Sequence, residues 1–232
     1  MSLYVLGDLH LSFGTDKPMD IFKGWDNYVE RITENWNKIV TDNDTVVVNG
    51  DISWAMSLED TEKDFEYINN RLKGSKIFTK GNHDYWWTTK AKMDSYLQSK
   101  GFDKIKILNN NSYLVEGIAV CGTRGWINDD GQPFDEKILN REAGRMEATL
   151  SEGKKTGGEL TVFIHYPPIF GGDKNYYILE KLKKYNIKHC YYGHVHGPAR
   201  KKAFVGEYDG TEFHIASCDC VDFTPVLVKG TE

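Results

Sequence analysis

The chain alternates short unbroken apolar runs with longer segments whose apolar positions recur every three or four residues. The first run, Leu3–Leu6, reads as a strand. Residues 26–40 then place Val29, Ile32, Trp36, Ile39 and Val40 on one helical stripe. Thr45–Val48 is a β-branched run that stops at Asn49-Gly50-Asp51. Ser57 opens a second helix, with Asp60 three residues on as in a capping box and Leu58, Phe65, Ile68 and Leu72 on one face. Lys76–Thr79 is the next strand and stops at Gly81-Asn82-His83, with a helix over about 89–99 behind it. Three strand–helix alternations in the first hundred residues predict parallel strands joined by right-handed crossovers.

The pattern changes after residue 110. Ser112–Val115 and Ile118–Gly122, joined at Glu116-Gly117, read as a hairpin. A polar loop from Asn128 to Gln132 leads to a helix near 135–152, and Lys154 to Gly158 reads as a flexible connector. Leu160–Ile164 is a strand ending at His165, residues 176–185 are helical, and Ile187–Tyr192 is a strand ending at Gly193-His194. The last forty residues read as strands, with Asp209-Gly210 as a hairpin turn. There is no internal repeat, low-complexity tract or interdomain linker. The expectation is a single α/β domain over 1–232, with two sheets and outer helices.

Composition narrows the class without deciding it. At 232 residues the chain is long enough to bury a large core. A net charge of −5 gives no support for broad nucleic-acid binding, which leaves a basic footprint. No segment approaches the ~18 apolar residues of a membrane helix. The first residues lack a basic leader region and run into Asp8 within seven positions, so no signal peptide is expected. Four cysteines, at 121, 190, 218 and 220, are too few for a disulfide framework. Cys218 and Cys220 lack a second cysteine pair and read as buried or strand-alternating thiols. These features together point to a cytoplasmic protein.

Seven metal-ligand side chains stand in five short motifs, each just past a strand-forming run. The motifs are Asp8-Leu9-His10, Gly50-Asp51, Gly81-Asn82-His83-Asp84, His165 and Gly193-His194-Val195-His196. Parallel sheets place their sites at the carboxyl ends of their strands, so widely spaced motifs are expected to meet. Four histidines, two aspartates and one asparagine suffice for two divalent cations, and imidazole with carboxylate suits Mn, Fe, Zn or Ni. His83 is left over as an acid or base, and Asp84 has the alternative of capping the next helix. Gly50, Gly81 and Gly193 remove side chains where the backbone must turn sharply. Arg124, in Gly122-Thr123-Arg124-Gly125-Trp126, has two even readings: a bidentate phosphate ligand or an ordinary salt bridge. Trp54, Trp86, Trp87 and Trp126 either wall a pocket or pack on the sheet. His189 and His214 match no motif and receive no role.

The order Asp-x-His, Gly-Asp, Gly-Asn-His-Asp, His, Gly-His-x-His resembles the calcineurin-like metallophosphoesterase superfamily. The resemblance runs from Asp8 to His196 and holds all five blocks in the family's order. It implies a four-layer αββα sandwich of two mixed β-sheets flanked by helices. It implies that Asp8, His10 and His196 hold one metal, that Asn82, His165 and His194 hold the other, and that Asp51 bridges them. It makes His83 the catalytic histidine and Asp84 its orienting partner. The implied reaction is attack of a metal-bridging hydroxide on a phosphomonoester or phosphodiester, with His83 as acid and Mn favoured as the metal.

The second block reads Gly50-Asp51-Ile52-Ser53-Trp54, without the Asp-Arg-Gly that protein serine/threonine phosphatases of this superfamily carry. Asp84 also stands where those enzymes have Glu. Both departures favour a small phosphate-ester substrate over a phosphoprotein. The rival reading is a non-catalytic scaffold of the same fold, which the complete ligand set disfavours.

Overall fold

The computed structural model describes residues 1–126 and 135–228, so the polar loop expected at Asn128 to Gln132 lies outside the described residues. The amino-terminal half runs β1 (Leu3–Val5), α1 (Tyr28–Ile39), β2 (Thr45–Val48), α2 (Glu62–Arg71), β3 (Ser75–Phe78), α3 (Lys90–Lys100) and β4 (Ile105–Ile107). The expected three alternations are present, and the four strands pair in parallel in that order. The rest runs β5 (Tyr113–Val115), β6 (Ile118–Thr123), α4 (Glu136–Lys155), β7 (Glu159–Ile164), β8 (Ile169–Phe170), β9 (Asp173–Lys174), α5 (Tyr176–Lys184), β10 (His189–Tyr192), β11 (Gly206–Tyr208), β12 (Thr211–Ile215) and β13 (Val226–Leu227).

Two mixed sheets result. The first has the order β13-β1-β2-β3-β4, and the second β11-β12-β10-β7-β6-β5. In the second, β6, β7, β10 and β12 are parallel, with β5 and β11 added antiparallel at the edges.

Alternation along the strands explains the layers. Val47 points between the sheets, where it joins Leu3, Val5, Ile77, Val120, Phe163 and Tyr191. Its neighbours Val46 and Val48 point outward to Ile32, Trp36, Phe65, Ile68 and Met93 on the first three helices. A strand buried on both faces must be apolar throughout, which is why it reads as a run rather than an alternation. On the other side, Val162, Ile164 and Cys190 pack against Met146, Leu150, Ile178 and Leu182 of α4 and α5. The result is the αββα sandwich that the resemblance implied.

Three expectations need correction. Ser57 and Asp60 do form their reciprocal bonds, with Ser57 Oγ donating to Asp60 Oδ2 at 2.7 Å and Asp60 N–H to Ser57 Oγ at 3.3 Å. They open a 3-10 turn at Glu59–Thr61, however, and α2 begins only at Glu62. The helix after residue 135 continues to Lys155, through part of the supposed connector, because the chain first turns left-handed at Gly157 (φ 75°). The last forty residues hold short strands and two 3-10 turns, Gly197–Lys202 and Cys218–Cys220, so Cys218 and Cys220 do not alternate on a strand, while Cys218 is buried as the other reading had it. Among the described residues no helix is long and apolar enough to cross a membrane.

Candidate metal centre

The five motifs leave the carboxyl ends of β1, β2, β3, β7 and β10. They meet where the sheets are laced together: Gly7 N–H donates to Ala216 O at 2.7 Å, and Cys218 N–H to Gly7 O at 3.2 Å. All seven ligand-type side chains converge there. Asp8 Oδ1 lies 3.2 Å from His196 Nε2, and His196 Nε2 lies 3.4 Å from His10 Nε2. In a second group Asn82 Oδ1 stands 2.7 Å from His165 Nε2 and 2.9 Å from His194 Nδ1. Asp51 Oδ2 is shared, 3.8 Å from His10 Nε2 and 3.5 Å from His165 Nε2. Donor atoms spaced in this way form the edges of coordination shells with bonds of about 2.0–2.2 Å, so the residues fit divalent ions.

The backbone is forced into place to achieve this. Asp8, His10, Asp51 and His194 all have positive φ, at 63°, 46°, 50° and 71°. Non-glycine residues rarely adopt this region, and such strain concentrates at functional sites. Two glycines make the close approach possible. A Cβ on Gly81 would collide with the backbone nitrogen and carboxylate of Asp51, and one on Gly50 would stand 2.5 Å from His165 Nδ1.

Residues outside the expected set orient the candidate ligands. Asp219 Oδ1 is 2.7 Å from His196 Nδ1, and Asp219 Oδ2 accepts Gly197 N–H at 2.8 Å. Asn49 O faces His165 Nδ1 at 3.1 Å. Each contact occupies one ring nitrogen and leaves Nε2 turned to the centre, as metal-binding histidines require. Trp54 stacks on the His10 ring at 5.0 Å, and Trp25 meets His10 and His196 edge-on. Sequence reasoning missed Asp219, Asn49 and Trp25. Asn49 alone carried a signal, its place beside Gly50-Asp51.

Electrostatics suit the centre to cations. Burial, with Asp84 and Asp8 nearby, pushes the Asp51 carboxyl well above its ordinary range. Burial pushes the His165 imidazole down to about 3. Burial opposes charge on His196 too, yet Asp8 and Asp219 raise it to about 10. Buried carboxylates repel one another, so the site favours cations and would exchange the His196 proton for one.

The Asp84 expectation changes. Its carboxylate does not meet the His83 ring and does not cap α3, which Thr89 caps by accepting Lys92 N–H. Instead it accepts N–H bonds from Gly81, Asp51, Ile52 and Ser53, and from Trp86 Nε1. It clips the Asp51 loop to the Asn82 turn, a job its short, fully buried side chain can do in place. Trp86 is thereby a packing residue, buried against Phe65. His83 donates its backbone N–H to Asp51 Oδ1 at 2.8 Å, and its ring lies 4.3 Å from Trp54. Burial pushes the His83 imidazole down to about 4, so it is neutral at neutral pH before substrate arrives.

Arg124 lines a cavity of about 170 Å³ with Lys80, Arg145, Trp87 and Asn110. It adjoins the centre, because Lys80 precedes Gly81 and Arg124 O accepts His165 N–H at 3.2 Å. Buried Glu142 faces Arg145 at 2.5 Å and Arg124 at 3.9 Å. The Arg124 Nε is buried without a hydrogen-bond partner.

The sequence profile of the calcineurin-like phosphoesterases matches residues 1–198, and the chain belongs to that family. No curated protein matches the chain in sequence. Among solved structures it is similar to AQ665 of Aquifex aeolicus, described as a protein of unknown function, at 19% identity and a TM-score of 0.51, over 97% of this chain and 95% of that one. It is also similar to TT1561 of Thermus thermophilus, at 12% identity and a TM-score of 0.55, over 84% of this chain and 81% of that one. These likenesses carry the fold.

Proposed function

We propose that the protein is a cytoplasmic dinuclear phosphoesterase that hydrolyses a small phosphomonoester or phosphodiester. The observation that carries this reading is the convergence of all seven donors, with Asp51 Oδ2 between two groups of them. Asp8, His10 and His196 would hold one divalent ion, and Asn82, His165 and His194 the other, with Mn²⁺ favoured. Two such ions, when bound, polarise the phosphoryl oxygens and lower the pKa of a water.

The protein's own groups do the rest. Asp84 fixes the loop that carries Asp51. Trp54 supports the His10 and His83 rings from one side. His83 supplies the proton at the leaving oxygen: a phosphate anion beside the ring raises its proton affinity, so substrate recruits the acid. Lys80 is held below its ordinary pKa by burial and by Arg124 and Arg145, the mark of crowded cations. An anionic part of the substrate beyond the scissile group would relieve that crowding, with Arg124 as a phosphate ligand. A cavity of about 170 Å³ suits a small molecule. Four free cysteines support a reducing compartment.

Metal analysis and hydrolysis of bis-p-nitrophenyl phosphate and p-nitrophenyl phosphate with added Mn²⁺ test the proposal. Two bound ions and metal-dependent turnover are expected. A folded protein with neither would instead be a non-catalytic scaffold.

A further inference from the structure

The side chains of His189, Glu212 and His214 cluster on the β10–β12 pair of the second sheet, apart from the ligand set above. His189 opens β10 and His214 lies opposite Tyr191, so along the strand they stand about 13 Å and about 7 Å short of Gly193 at ~3.3 Å per residue. The parallel register of β10 and β12 sets His189 opposite Glu212 and Tyr191 opposite His214. Tyr191 stacks on the His214 ring at 4.5 Å and 19°, which fixes the imidazole plane.

The donor atoms form a nearly equilateral triangle. His189 Nδ1 is 3.2 Å from His214 Nε2, and Glu212 Oε2 is 3.6 Å from the first and 3.9 Å from the second. The two rings lie within hydrogen-bond distance of each other, and Glu212 lies beyond hydrogen-bond length but within ion-pair distance of both. The circle through three atoms so spaced has a radius of about 2.1 Å, which falls within the Zn–N and Zn–O bond range of about 2.0–2.2 Å. One point in space therefore lies at bonding distance from all three. The side chains are 19%, 39% and 17% exposed, so an ion can enter from solvent.

We infer that His189, Glu212 and His214 form a third, mononuclear metal site, separate from the phosphoesterase centre. Two imidazoles and one carboxylate select a borderline transition ion such as Zn²⁺ over Ca²⁺ or Mg²⁺. Three protein ligands leave a coordination position for water or an outside donor. The ion would also clip β12 to β10, since each strand supplies a ligand that the other lacks. The inference is independent of the hydrolytic reading, because none of its ligands belongs to that centre.

The test is zinc stoichiometry of the full chain. Wild type, His214→Ala and Glu212→Gln are dialysed against buffered micromolar Zn²⁺ and bound metal is counted by mass spectrometry, with circular dichroism as the check on folding. Each variant is expected to bind one zinc fewer than wild type and to keep wild-type hydrolysis of bis-p-nitrophenyl phosphate. Glu212→Gln preserves shape and stays informative should His214→Ala unfold. Equal zinc content in wild type and folded Glu212→Gln would overturn the site.

Discussion

Under the proposed function, individual residues divide into ligands, groups that aim them, and groups that act on substrate. His83 touches no donor group of the centre through its ring nitrogens, so His83→Ala is expected to keep both metals while turnover falls by ~10²–10⁴; elemental analysis beside kinetics checks this, and lost metal would place His83 among the ligands. Asp51→Asn is expected to weaken both metal sites together, because its Oδ2 faces both donor groups; separate titration of the two ions decides. Asp219 acts one step further out. Removing its hold on His196 Nδ1 in Asp219→Ala is expected to lower metal affinity by ~10–100-fold with His196 still present. The seven candidate ligands stood out in the sequence because their residue types and local motifs announce metal chemistry. Asp219 was not: nothing near Cys218-Asp219-Cys220 says that a 3-10 turn from the far end of the chain will reach His196. Asp84 was legible as important, though its backbone-clipping work depends on a loop conformation that no residue type encodes.

At the level of elements, β2 reads clearly because burial on both faces makes Val46, Val47 and Val48 an unbroken apolar run, and Ile77 and Phe78 mark β3 in the same way. β4, with exposed Lys106 between Ile105 and Ile107, is too short to show a pattern, and the two-residue strands β8, β9 and β13 exist only through their pairing. β3 also carries an oddity at its second position. Lys76 is buried and donates to Leu72 O and Gly74 O, both at 2.8 Å, and burial, with Lys104 nearby, lowers its pKa to about 7. The unfolded chain therefore binds a proton that the folded one releases between about pH 7 and the ordinary lysine value, and stability gains from Lys76 as pH rises through that window. Chemical denaturation of wild type and Lys76→Met from about pH 6 to 9 should show wild type gaining on the variant by up to about 1.4 kcal/mol per pH unit. A constant difference would mean that the amine stays charged in the fold.

The whole molecule joins two half-sandwiches at a charged seam. Divalent ions bound there would relieve the repulsion around Asp8, Asp51 and Asp84. Ligand excess of about 100-fold over Kd stabilises a fold by about 2.7 kcal/mol per site. A domain of 150–250 residues shifts its Tm by about 2–4 °C per kcal/mol. Chelation by EDTA is therefore expected to lower Tm by roughly 11–22 °C for two sites, read by scanning calorimetry, and Mn²⁺ is expected to restore it. An unchanged Tm would mean that the folded protein gains nothing from the ions.

The split of the donors between the sheets also has a consequence in time. Asp8, His10, Asp51 and Asn82 come from the first sheet, while His165, His194 and His196 come from the second. A growing chain presents the first four long before the others leave the ribosome, a delay on the order of ten seconds at ordinary elongation rates. During that interval an ion finds half a cage. Firm capture awaits the closing of both halves, so a retained ion is a receipt for completed folding.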